Sequence, residues 1–142
     1  MTRPRFHVAF PVSDLEAARA FYAGALGAGT GREAPGVWID FELFGHQLSA
    51  HLSPGDCGAG GSGAVDGEAV PVRHFGVILD WADWEALAAR LTEGGADFII
   101  EPHLRFVGQP GEQGTFFVRD PAGNALEFKT FRDGAQVFAR DD

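Results

Sequence analysis

An α+β fold built from two like halves is predicted by three features of the sequence. The same order of strand-like and helix-like patterns occurs twice, each helix pattern has a capping acceptor before it and glycines after it, and turn signals separate alternating segments downstream. The first half opens with Phe6-His7-Val8-Ala9-Phe10-Pro11-Val12, a short β-type run. A helix follows over Asp14 to Tyr22, with Leu15, Ala18, Phe21 and Tyr22 on one face, Ser13 or Asp14 to cap it, and Gly24 and Gly27 beyond its end. Strands are then expected over Val37 to Phe44 and Gln47 to Leu52, joined by a turn at Gly45-His46.

The second half repeats the plan. His74-Phe75-Gly76-Val77-Ile78-Leu79 is strand-like, and Asp83 to Leu91 is helical with Trp84, Leu87, Ala88 and Leu91 on one face. Asp80 or Asp83 can cap this helix and Gly94-Gly95 ends it; Trp81 and Trp84 read as packing residues beside it. Strands are expected around Phe98 to Glu101, Thr115 to Arg119 and Ala125 to Phe131, the last two joined by Asp120-Pro121-Ala122-Gly123-Asn124. Ser53 to Ala69, which contains Gly58-Ala59-Gly60-Gly61-Ser62-Gly63, reads as a linker. A phosphate-binding loop would need a strand before it, a helix after it and a Gly-Lys-Ser/Thr ending, and none of these is present.

Twenty Asp and Glu against 11 Lys and Arg give a net charge of −9, with no basic run. Phosphate backbones and anionic lipid reward clustered cations, so neither nucleic acid nor membrane is an expected partner; a small-molecule substrate is. No stretch approaches the ~20 apolar residues of a bilayer span, and Cys57, the single cysteine, excludes an internal disulfide and a multi-thiolate zinc site. A cytoplasmic protein is expected, in which any metal is held by His and carboxylate.

Of the five histidines, His7 and His74 occupy the same place on the first strand of each half, so a pseudo-twofold pairing of the halves would bring them together. The alternative is two ordinary half-buried histidines. Glu127, in Ala125-Leu126-Glu127-Phe128, lies between apolar residues that point to the other face. A carboxylate on the inner side of such a strand requires a partner or a metal; pointing to solvent is the alternative. Two imidazoles and a carboxylate on one side of an ion leave positions open for substrate, water or oxygen.

On Phe6 to Tyr22, on Arg73-His74-Phe75-Gly76-Val77 and on Asp120 to Glu127, the chain resembles the vicinal oxygen chelate superfamily. That superfamily includes glyoxalase I, extradiol dioxygenases, fosfomycin-resistance enzymes and bleomycin-resistance proteins. The resemblance spans Phe6 to about Phe131. It implies one domain over residues 1–142, made of two βαβββ modules, at about 4–54 and 70–132, paired into a curved mixed sheet around a metal cleft. It makes His7, His74 and Glu127 the metal ligands. It also implies a homodimer, because such modules often pair across chains.

Glyoxalase I adds a fourth ligand from the last strand of the first module. Counting back from the turns, Gly45 corresponds to Gly123 and Ser49 to Glu127; Ser49 is a poor ligand and remains a substrate contact, while His51, one pleat on, faces the same way and is the candidate to reach the ion as a fourth ligand or to meet a bound substrate. Extradiol dioxygenases carry an acid/base histidine at the start of that strand, and His46 matches its place, an exposed turn residue being the alternative. Their tyrosine beside the metal falls at Phe117, so the hydroxyl that assists catechol binding and proton transfer is missing here and Phe117 is left as a substrate contact. His103 and Arg105, within Glu101 to Gly114, suit an anionic or dicarbonyl substrate; a surface hairpin with Arg105 paired to Glu101 or Glu112 is the competing reading. Trp38, Asp40 and Glu42 alternate on one strand face whose partner is left open.

The leading expectation is therefore a metal-dependent, extradiol-dioxygenase-like oxidoreductase acting on a small vicinal-oxygen substrate. His7, His74 and Glu127 hold the ion, Fe(II) or Mn(II) ahead of Zn(II) or Ni(II), and His46 or His51 moves the proton. A glyoxalase I-like lyase or isomerase is second. A metal-free binding protein of the bleomycin-resistance type and an antibiotic-modifying transferase, with Arg105, Lys129 and Arg132 as its only cation candidates, complete the set.

Overall fold

The computed structural model describes residues 3–58 and 60–140. Strand β1 (His7–Val12) leads into helix α1 (Leu15–Arg19). The Asp14 carboxylate starts this helix by accepting from the amides of Glu16 at 2.8 Å and Ala17 at 3.0 Å. The helix then widens into a π turn over Ala20–Ala25. Strands β2 (Gly29–Ala34), β3 (Trp38–Leu43) and β4 (His46–Leu52) complete the first module. The hairpin β5 (Ser62–Val65) and β6 (Glu68–Pro71) lies between the modules. The second module comprises β7 (His74–Phe75), α2 (Trp81–Glu93), β8 (Phe98–Arg105), β9 (Gln113–Arg119) and β10 (Ala125–Phe131).

Each module forms its own four-stranded mixed sheet. The orders are β1-β4-β3-β2 and β7-β10-β9-β8, with the first pair parallel and the others antiparallel in both. The repeat read from the sequence is thus a repeat of topology. Register makes the correspondence residue by residue: His7 pairs with Gln47, as His74 pairs with Ala125. Ser49 therefore stands where Glu127 stands, and Asp40, opposite Ser49, stands where Phe117 stands opposite Glu127.

Several local expectations are corrected. The β3–β4 turn falls on Phe44-Gly45, both at positive φ, and His46 already belongs to β4. Strand β2 escaped notice because Gly-Thr-Gly-Arg-Glu-Ala is an exposed edge with little apolar content. The segment read as linker contains the β5–β6 hairpin, turning at Asp66-Gly67, both at positive φ. That Asp-Gly pair between short apolar runs was the available signal.

Core-facing residues come from both modules: Phe10, Phe41, Leu48 and Ala50 from the first sheet, Phe116, Val118, Leu126 and Phe128 from the second. Phe10 joins them, its ring 5.2 Å from Tyr22 and 5.1 Å from Phe75. Alternation along the strands turns the opposite faces, bearing His7, Asp40 and Ser49 on one sheet and Thr115, Phe117 and Glu127 on the other, away from this core. No helix among the described residues is long and apolar enough to cross a membrane.

Tyr22, the single tyrosine of the chain, is fully buried and donates to Asp120 at 2.7 Å. Burial first, and then the Asp120 carboxylate, push its ionisation well above the usual range. Below about pH 10 the phenol is neutral whether folded or unfolded; above it only the unfolded chain ionises, so stability falls as pH rises further. Near-ultraviolet absorbance should accordingly show tyrosinate only together with loss of the folded circular dichroism signal. Ionisation at the ordinary pH in a folded protein would contradict this placement.

Candidate functional site

The second module brings together two of the three residues expected as ligands, His74 and Glu127. Strand β7 lies parallel to β10, and His74 Nε2 stands 3.5 Å from Glu127 Oε1. The other ring nitrogen, Nδ1, is 2.7 Å from the Pro71 carbonyl. A carbonyl only accepts, so Nδ1 carries a proton, and Nε2 is the ring atom that faces the carboxylate. A ring nitrogen donating to a carbonyl is the usual support for a metal-bound imidazole.

Glu127 is itself held. Thr115, on the neighbouring strand, donates its hydroxyl to Oε2 at 2.7 Å, and Lys129 Nζ lies 3.8 Å from Oε1. Phe117, directly opposite Glu127, packs edge-on against the His74 ring at 5.2 Å. Further along this face, Asp66 of the β5–β6 turn binds His103 Nε2 at 3.0 Å and Arg105 Nε at 3.3 Å. Val70 of the same hairpin is buried against Ile100 and Phe117. The reading of Arg105 with Glu101 or Glu112 is thus corrected: its partner is Asp66, while Glu112 pairs with Arg132. Composition hid this, since the hairpin carrying Asp66 resembled a linker.

His7 is not brought to His74 and Glu127. Its exposed ring lies on the outward face of the first sheet, with Nδ1 2.9 Å from Gln47 Oε1. Among the described residues, no three His, Cys, Asp or Glu side chains converge to hold an ion. The expectation that pairing within the chain unites the two histidines therefore fails: each is on a face turned away from the shared core. Ser49 is buried and donates to Asp40 Oδ1 at 2.6 Å. His51, exposed, shares its face. His46 has the opposite parity and accepts the Phe6 amide at 3.0 Å through Nδ1. A cleft of about 320 Å³ along β1 and β7 reaches His74, Arg73 and Asn124 but not Glu127. The sequence reading missed Thr115, Gln47 and the role of Asp40, which only strand register reveals.

A solved structure of similar fold, a glyoxalase/bleomycin resistance protein/dioxygenase from Alicyclobacillus acidocaldarius, is 32% identical with a TM-score of 0.80, covering 97% of this chain and 100% of that one. Two more distant structures share the fold. Lactoylglutathione lyase from Agrobacterium tumefaciens is 22% identical, with a TM-score of 0.63 and coverage of 89% and 92%. A genomically encoded fosfomycin resistance protein from Listeria monocytogenes is 13% identical, with a TM-score of 0.68 and coverage of 96% and 100%. Among curated proteins the chain has no match. Residues 6–128 match the family pattern, and the chain belongs to the glyoxalase/bleomycin resistance protein/dioxygenase superfamily.

Proposed function

We propose that this protein is a metal-dependent enzyme acting on a small substrate with vicinal oxygens, most closely a dioxygenase-like oxidoreductase. The observation that carries the reading is the His74–Glu127 pair, with Nδ1 of the ring pinned to Pro71 and the carboxylate pinned by Thr115. His7 is the third donor, contributed by a second copy of the chain in a homodimer, so that the outward face of one first sheet covers that of the other's second sheet. With three donors and Ser49 in the place of a fourth, coordination positions stay open for substrate. Bound there, a divalent ion supplies Lewis acidity toward two adjacent oxygens.

The chain's own groups do the rest. Phe117 gives an apolar wall beside His74, and His103 and Arg105 orient an anionic group at the edge of the face. His51, on the same face as Ser49, moves the proton; His46 is occupied with the Phe6 amide. An antibiotic-modifying transferase is the weaker reading, because Arg105, Lys129 and Arg132 are already paired with Asp66, Glu127 and Glu112.

Elemental analysis of untagged protein tests the proposal. Near-stoichiometric iron or manganese, lost in His7→Ala, His74→Ala and Glu127→Ala, is the expected result; zinc or nickel would favour a glyoxalase-like lyase. Unfolding His7→Ala and Glu127→Ala together and refolding the mixture should restore part of the metal, since a mixed dimer has one intact site. No metal in the wild type and none after reconstitution would leave a metal-free binding protein as the better account.

A further inference from the structure

We propose that Asp40 is a positioning residue for His7: acting through Gln47, it selects the ring tautomer whose Nε2 is free to bind a ligand. The relay crosses three strands of the first sheet. Ser49 Oγ donates to Asp40 Oδ1 at 2.6 Å, Gln47 Nε2 donates to Asp40 Oδ2 at 3.3 Å, and Gln47 Oε1 faces His7 Nδ1 at 2.9 Å. An ionised carboxylate only accepts, so the Gln47 amide must turn its NH₂ to Asp40 and its carbonyl to His7. That carbonyl in turn only accepts, so Nδ1 of His7 must donate. A neutral imidazole with its proton on Nδ1 has its lone pair on Nε2. Buried Ser49 fixes the first oxygen of Asp40 and leaves the second aimed at Gln47.

The second module reaches the same tautomer by another route. At the position equivalent to Gln47 it has Ala125, whose methyl cannot accept a proton, and the Pro71 carbonyl holds Nδ1 of His74 instead. Two histidines at matching repeat positions, pinned through the same nitrogen by unrelated groups, indicate a requirement for free Nε2 at both. It also accounts for Asp40 and Ser49 standing where the second module has Phe117 and Glu127: in the first module this pair orients a donor rather than supplying one.

The metal role of His7 rests on the proposed function, whereas its tautomer can be measured without metal. Long-range nitrogen–proton correlation spectra of the metal-free protein at about pH 8, where imidazole is neutral, should show His7 protonated on Nδ1 in the wild type. In Asp40→Ala and in Gln47→Leu the signal should move toward the Nε2-protonated form of an unrestrained histidine, while His74 is unchanged. Gln47 is exposed, so its replacement tests the relay without a buried defect. Zn(II) affinity, titrated separately, should fall about 10–100-fold in both variants. An unaltered His7 tautomer in Gln47→Leu would overturn the relay. A changed tautomer in a protein whose metal binding also survives His7→Ala would uphold the relay and remove His7 from the ligand set.

Discussion

Gly76→Ala should cost about 3 kcal/mol or more and separate His74 from Glu127. A Cβ at Gly76 would lie 1.5 Å from the Glu127 carbonyl oxygen and 2.6 Å from its carbon. Both are backbone atoms of a central strand, so no side-chain rotation relieves the clash. The requirement is one of space, because Gly76 is not among the positive-φ residues. To admit a methyl group, the segment after β7 must lift from β10. The bonds from the Leu79 amide to the Lys129 carbonyl at 2.8 Å and from the Lys129 amide to the Val77 carbonyl at 3.3 Å would then strain. Phe75, its ring 5.1 Å from that of Phe10, would be pulled from the core. Urea denaturation should show a lower midpoint, and any retained metal should bind far more weakly. A variant of wild-type stability would mean that Gly76 does not approach the Glu127 backbone this closely.

Asp120→Ala should destabilise the protein by about 3–5 kcal/mol, more than Tyr22→Phe at about 1–2 kcal/mol. The carboxylate is buried and accepts four hydrogen bonds, from the Tyr22 hydroxyl at 2.7 Å, the amides of Ala122 at 2.9 Å and Asn124 at 2.8 Å, and the Asn124 side chain at 2.9 Å. Removing it orphans every donor together, including the phenol that reaches it from the first module. Removing the phenol alone leaves the carboxylate three donors. Chemical denaturation of both single variants and the double variant tests this order, and the double should cost little beyond Asp120→Ala, since the two groups share one bond. Equal effects of the two single substitutions would show that the turn amides find water instead.

The histidine at the start of each half and the glutamate after the Asp-Pro turn were legible because strand alternation and a repeated order of patterns survive in sequence. Counting from Gly45 and Gly123 even placed Ser49 opposite Glu127 in the repeat, as the strand registers do. What the repeat could not convey is which faces the modules present to each other. A pseudo-twofold axis is compatible with the two histidines meeting or facing apart, and that choice lies with the apolar residues at alternate positions, Phe10 and Phe75 among them. The Asp40–Gln47–His7 relay was illegible for a related reason. Its longest link, from His7 to Gln47, joins residues 40 apart in sequence, where only register brings the side chains side by side. The β5–β6 hairpin was missed because it follows directly on a glycine-rich run and most of its side chains are exposed, with Val70 and Pro71 alone buried.

The outward placement of His74 and Glu127 has an electrostatic consequence. Their side chains retain 28% and 14% of their exposure, so in a lone chain water reaches both. Solvent of high permittivity weakens the attraction of a carboxylate for a cation and competes for the same coordination positions, whereas the same charges in a region of low permittivity interact several-fold more strongly. In the proposed dimer the second copy would do more than add a donor: covering this face would dry the Glu127 carboxylate and raise the field that it exerts. Uncovered, the same carboxylate acts through water and exerts only a weak field.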